Sequence, residues 1–187
     1  MITKIKLWCK MKQLFVLIFI LFSCVSETAQ DQVPRLSPKS FVGQTVGYTD
    51  VIIRYGSPGV KGRTIWGELV PYDQVWRAGA NEATTIEFSN DVIINKNKVP
   101  AGRYSFFVIP SKSNWTIIFN KIDEQWGAFK YDAKEDLFRF SVKPEENNFV
   151  ERLRYIIEYK TAFTANIILE WEKLKIVFEV NSNIEEK

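Results

Sequence analysis

The sequence predicts an all-β protein, an antiparallel β-sandwich or jelly-roll-like fold of about eight or nine strands with one long Gly/Trp/Arg-rich loop. Three observations predict it. Short apolar segments alternate with period two, as half-buried strands do. Turn residues recur between them at hairpin spacing. No stretch sustains a helical period beyond about two turns; Pro71–Arg77 and Ala133–Leu137 are the only candidate helical turns.

The elements follow in order. "TDVIIRY" (Thr49–Tyr55) sets Val51, Ile53 and Tyr55 on one face, with Ile52 and Arg54 on the other. "TTIEF" alternates Ile86 and Phe88 against Thr85 and Glu87. "DVIINKNKVPAGRYSFFVIP" reads as strand, turn, strand, with Asn95–Lys98 as the turn and Pro100-Ala101-Gly102 as a second bend. "NWTIIFNK" places Trp115, Ile117 and Phe119 on one face, and the shorter "LFRFSV" ends before Lys143-Pro144. "ERLRYIIEY" sets Leu153, Tyr155, Ile157 and Tyr159 against Arg152, Arg154 and Glu158. The last two segments, "ANIILEW" and "LKIVFEV", read as a pair of strands carrying Ile167, Leu169, Trp171 and then Leu174, Ile176, Phe178, Val180. The tail 181–187 is expected to be loose.

Residues 1–30 read as a leader, with a start at Met11 ahead of an apolar run from Leu14 to Phe22. That run is too short to span a bilayer, which takes roughly 20 residues, and suits a signal-peptide core. Two cleavage readings compete. Leu21-Phe22-Ser23-Cys24 resembles a lipoprotein box and predicts lipidation of Cys24; cleavage after Ala29 would instead leave a freely secreted protein. Residues 31–180 read as a single sandwich domain, because no linker divides them.

Composition then removes several function classes. Both cysteines, Cys9 and Cys24, fall in the leader, and the chain has no histidine. Ser-His-Asp and Cys-His catalysis are therefore excluded from the domain, as is His- or Cys-ligated zinc. From Asp31 onward, 21 basic residues balance 21 acidic ones, which argues against a nucleic-acid or anionic-membrane surface. The expectation is no cofactor, no metal, and contact with the membrane only through a lipid anchor.

One stretch stands apart: "GSPGVKGRTIWGELVPYDQVWRAGANEATTIEF", Gly56–Phe88. Its "GSPGVKGRT" is not a phosphate-binding loop, since Lys61 precedes Gly62 and no helix follows. Pro58-Gly59 reads as a type II turn. "VWRAGANEAT" admits two readings. Arg77 and Glu82 could form a buried ion pair that braces the loop. Alternatively, Arg63, Trp66, Trp76, Arg77, Asn81 and Glu82 line a ligand cleft, with Trp126 and Lys130 of "QWGAFKYD" opposite. Arginine offers bidentate recognition of a carboxylate or phosphate, and the tryptophans a stacking surface for a sugar or other flat ligand. Long loops in compact domains are often functional, which keeps the second reading open. Asp50, Asp73, Glu82, Asp123 and Asp132 supply carboxylates for a glycosidase-type pair, but no spacing selects two of them. Calcium through Asp123, Glu124 and Asp132 lacks any motif.

The ordered set "SPGVKGR", "VWRAGANEAT" and "WGAFKYD", with "RYSFFVIP" and "NKNKVPAG" between them, resembles the bacterial domain of unknown function 2911 family from Pro34 to about Val180. The resemblance implies an exported β-rich protein and carries no activity, catalytic residue or ligand. The function expected is a non-catalytic binding or structural module of the cell envelope, taking a small ligand, a glycan or an envelope protein. The alternative is a carboxylate-based hydrolase acting on an envelope glycan.

Overall fold

A computed structural model describes residues 34–183; Cys24 and the leader lie outside the described residues, as do the last four. Ten strands form two antiparallel sheets, and the sandwich is open at its edges. One sheet contains β1 (Lys39–Val46), β2 (Thr49–Gly56), β3 (Thr84–Phe88), β6 (Gly102–Ile109), β7 (Trp115–Asn120) and β8 (Asp136–Val142), in the order β1-β2-β3-β6-β7-β8. The other contains β4 (Val92–Ile94), β5 (Asn97–Val99), β9 (Glu145–Thr161) and β10 (Thr164–Asn181), in the order β5-β4-β10-β9.

The period-two alternation works as anticipated. Val51 and Ile53 of β2, Ile86 and Phe88 of β3, Phe106 and Val108 of β6, and Ile117 and Phe119 of β7 are buried from one sheet. Leu153 and Tyr155 of β9 and Ile167, Leu169 and Trp171 of β10 join the same core from the other. Burial of this apolar area is the main stabilising contribution.

Five local expectations are corrected. The turn expected over Asn95–Lys98 is only Asn95-Lys96, both left-handed (φ 46° and 66°), because Asn97–Val99 already pairs with β4 as β5. The two segments at the C-terminal end are one strand, β10, and not a pair. The inward residues are odd-numbered up to Trp171 and even-numbered from Leu174, and the parity changes at Glu172, whose φ is 56°. Register shifts against β9 flank Glu172, so a bulge keeps apolar side chains inward on both halves of an 18-residue strand. Pro58-Gly59 is not a type II turn: Gly59 lacks the positive φ that turn requires, and it bridges Arg152 of β9. The reversal comes later, at Lys61 (φ 49°) and Gly62 (φ 68°), closed by the Arg63 N–H donating to Val60 O over 3.1 Å, a type I′ turn. Pro71–Arg77 forms no helical turn, whereas Ala133–Glu135 is a single 3₁₀ turn capped by Asp132. Finally, β10 continues through Asn181, and the Ser182 N–H donates to Phe163 O, so the chain is ordered further than the expected start of a loose tail.

Of the two strands not anticipated, β5 has only three residues, and β1 gives a weak signal because its sequence KSFVGQTV buries only Val46 outright. Strand β1 pairs along its whole length with β2, from Lys39↔Gly56 to Val46↔Thr49.

The segment between β2 and β3 closes one end of the sandwich by being bonded at several points. β9 leaves its register with β10 between Arg154 and Val150, and the released backbone bonds to this segment instead. The Val60 N–H donates to Glu151 O (2.8 Å) and the Leu153 N–H to Pro58 O (3.0 Å). Ser57 Oγ donates to Leu153 O. Further on, Trp76 exchanges backbone bonds with Val108 at 2.8 and 2.9 Å, occupying the place beside β6 that β3 vacates after Thr84 pairs with Phe106. The segment then returns against the end of β2, where the Ala80 N–H donates to Gly56 O.

Gly56 is required by that return. A Cβ on it would sit 2.1 Å from Ala80 O, a backbone atom that cannot swing aside. Gly56→Ala is expected to destabilise by about 3 kcal/mol through overpacking. For a domain of this size that lowers the melting temperature by roughly 6–12 °C. A circular-dichroism melt checks it, and an unchanged melt would refute the close approach.

Candidate functional site

Four tryptophans close the end beneath the loop. Trp66 packs against Trp115 at 4.6 Å between ring centroids and meets Trp76 and Trp171 edge-on at 5.7 and 5.9 Å. Trp76 stacks on Trp171 at 6.1 Å. The Trp76 indole N–H donates to Gly79 O and that of Trp115 to Ser111 O. Those of Trp66 and Trp171 are buried without an acceptor.

Beside this cluster lies a cavity of about 720 Å³. Its walls include Arg63, Trp76, Arg77 and Asn81 from the loop, Arg35, Leu36 and Ser37 from the segment before β1, Trp126 and Ala128 from the β7–β8 connection, and Trp171 from β10. Five of the eight residues anticipated from sequence are thus brought together. The other three are not. Trp66 is packed among the other rings, and Glu82 faces a second cavity. Lys130 is exposed and lines neither of the two.

The anticipated Arg77–Glu82 ion pair does not form. Glu82 accepts both oxygens' worth of bonding from Arg35 Nη1, at 2.8 and 2.9 Å, and lies 3.3 Å from Lys39 Nζ. The reason is geometric: Asn81 is left-handed (φ 65°), and Glu82 bridges Trp126, so the two side chains leave the turn in different directions. Partial burial pushes the Glu82 carboxyl up. The Arg35 bond, its own backbone N–H and Lys39 outweigh that and hold it below the ordinary 4.5.

Arg77, by contrast, has no acidic partner among the described residues, and its Nε is buried without an acceptor. Burial lowers its pKa from the ordinary value. Its backbone is tightly fixed. Ala78 is left-handed (φ 52°) and fully buried, and its carbonyl accepts from Thr84 Oγ1 at 3.0 Å and Tyr155 OH at 2.9 Å. Arg63 is committed to its own turn, donating from Nε to Val60 O and from Nη2 to Gly59 O.

The second cavity, about 640 Å³, is walled by Phe41, Lys39, Arg54, Glu82, Arg103, Asp123, Glu124 and, shared with the first, Trp126. Its charges largely cancel in pairs. Arg103 holds Asp123 at 2.5 Å and Glu124 at 3.1 Å, and Arg54 holds Glu87 at 2.6 Å. Trp126, 60% exposed, and the Arg35–Glu82 pair together form the partition between the cavities.

Residues 37–180 match a family described as a protein of unknown function, DUF2911. The chain belongs to this family. No curated protein and no solved structure matches it. Family membership therefore spans nearly the whole described fold, including the β2–β3 and β7–β8 connections but not Arg35 and Leu36, and assigns neither cavity a ligand.

Sequence reasoning missed Arg35, Leu36 and Trp171 as cavity residues. Trp171 carried only a strand's inward alternation, and nothing local marks Arg35 as the partner of a glutamate 47 positions away.

Two outcomes are expected here. Arg77→Met keeps the stem and removes an unpaired charge, so the variant should melt at the same temperature or higher; a loss of about 3–5 kcal/mol would signal a buried ion pair instead. Because the folded pKa of Glu82 is depressed, its contribution is complete above pH 4.5 and lost as pH falls through the lower folded value. The difference in melting temperature between wild type and Glu82→Gln should therefore be largest near neutrality and vanish in acid; a difference that is constant with pH would contradict this.

Proposed function

We propose that this protein is a non-catalytic binding module of the bacterial cell envelope, exported and held there by a lipid on Cys24. Its ligand, a small molecule or short glycan, occupies the cavity beside Arg77. The observation that carries the reading is the composition of that cavity: three arginines, no carboxylate, and aromatic walls from Trp76, Trp126 and Trp171. Its volume of about 720 Å³ falls within the roughly 300–1,000 Å³ typical of small-ligand sites.

The same composition weighs against the hydrolase reading. Glycoside hydrolysis through carboxylates needs two of them about 5–10 Å apart, one with a raised pKa. The arginine-lined cavity has none. In the second cavity Glu82 is shifted down, the wrong direction for a general acid. Export and anchoring rest on the leader: a short apolar run ending in Leu21-Phe22-Ser23-Cys24.

A thermal-shift screen of small ligands and envelope glycans should yield compounds that raise the melting temperature. Crystals soaked with a hit should show it against Trp76 and Trp126; density elsewhere would overturn the site. Trp126→Ala alters an exposed side chain, so it should weaken the hit while leaving the melt of the free protein nearly unchanged. For the anchor, cells fed a labelled fatty acid should label the wild type and not Cys24→Ala. Equal labelling, or none in either, would remove the anchor.

A further inference from the structure

We propose that the ligand of this cavity is an organic anion, its carboxylate or phosphate received by the Arg77 guanidinium and its flat body lying between Trp76 and Trp126. The inference rests on the binding role above and adds the chemical class.

The charge lining the cavity is entirely cationic: Arg35, Arg63 and Arg77, with no acid among the lining residues. Two of these cations are occupied. Arg35 is spent on Glu82, and Arg63 on the carbonyls of Gly59 and Val60. Arg77 is left with five N–H donors, no carboxylate among the described residues within ion-pair reach, and an Nε that is buried with no acceptor. A guanidinium does not shed its proton in a protein, so desolvation cannot be relieved by neutralisation as it can for lysine. Native structures pair such groups, and here no described side chain does.

A neighbouring wall residue also carries an unsatisfied polar group, enclosed behind the cavity surface. Trp171 lines the cavity, is only 2% exposed, and its indole N–H also lacks an acceptor. An all-cationic lining with one guanidinium unpaired among the described residues calls for a group rich in acceptor oxygens. A carboxylate or phosphate supplies acceptors without bringing donors that would themselves need partners.

The position of Arg77 is also prepared. Left-handed Ala78, with its carbonyl held by Thr84 and Tyr155, fixes the backbone next to it. On the other side Gly127 (φ 68°) leaves the guanidinium room, because a Cβ there would come within 3.3 Å of Arg77 Nη1. Strain maintained by surrounding bonds around an unpaired charge is the signature of a preorganised binding group.

The test is a ligand-observed NMR titration of the full chain in detergent at constant ionic strength. The probes are benzoate, phenyl phosphate and neutral benzyl alcohol. At least one anion should bind about tenfold or more tightly than benzyl alcohol, and the tighter of the two separates carboxylate from phosphate recognition. Arg77→Met should weaken the anions by about tenfold or more, the usual worth of a charged hydrogen bond, and leave benzyl alcohol unchanged. Arg77→Lys, which keeps charge and loses the fork, should fall between them. A thermal melt of each variant verifies folding. If benzyl alcohol binds as tightly as the anions, or Arg77→Met leaves anion affinity intact, the anion assignment is wrong while the binding role survives. If none of the three probes binds, both fall.

Discussion

The packing of Trp66 on Trp115, Trp171 and Trp76 is the contact on which the functional end of this molecule depends. A sandwich made of two open sheets exposes its core at both ends, where strands stop and side chains no longer cover one another. Here β3 ends at Thr84 opposite Phe106 while β6 runs on to Ile109, and β9 departs from its register with β10. Each departure leaves backbone groups that must find partners. The segment between β2 and β3 supplies them, and its indoles fill the space that the two sheets leave.

Bracing contacts and cavity lining therefore coexist in one segment. Ser57–Val60 and Trp76 hold it to β9 and β6, and the Gly56–Ala80 approach holds its return. Between these fixed points the chain arches, and the cavity forms beneath it. Trp76 serves both roles: its backbone bridges β6, its ring stacks on Trp171, and it also lines the cavity. A brace and a cavity wall are not exclusive here, because the bonds that brace the segment also fix the walls of the cavity.

Electrostatics divides the neighbourhood. Around the second cavity, acids and bases lie close enough to neutralise each other, and the surface pairs there add little stability individually. Across Trp126 the balance fails. Glu82 is drawn to Arg35 and Lys39, which leaves Arg77 as a half-buried cation without a counter-ion among the described residues. The chain from Asp31 onward is neutral as a whole, so this local excess arises from arrangement and not from composition.

The sequence by itself determined the sandwich, because period-two alternation is local: Val51, Ile53 and Tyr55, or Phe106 and Val108, declare their face within a few residues. It also determined which chemistries are absent from the domain, since histidine and cysteine are missing there. Residue type and loop length grouped Arg63, Trp76, Arg77, Asn81 and Trp126, which the structure places around one cavity. What the sequence could not decide are distances between residues far apart along the chain. Whether Glu82 meets Arg77 or Arg35 depends on one left-handed residue, Asn81, and on where the segment before β1 lies. Whether "ANIILEW" and "LKIVFEV" are two strands or one depends on a bulge at Glu172, because a parity change looks the same from the sequence in either case. Only the tertiary structure decided these, because ion pairs and bulges are selected by what stands opposite, and the partner's position is set by the whole fold.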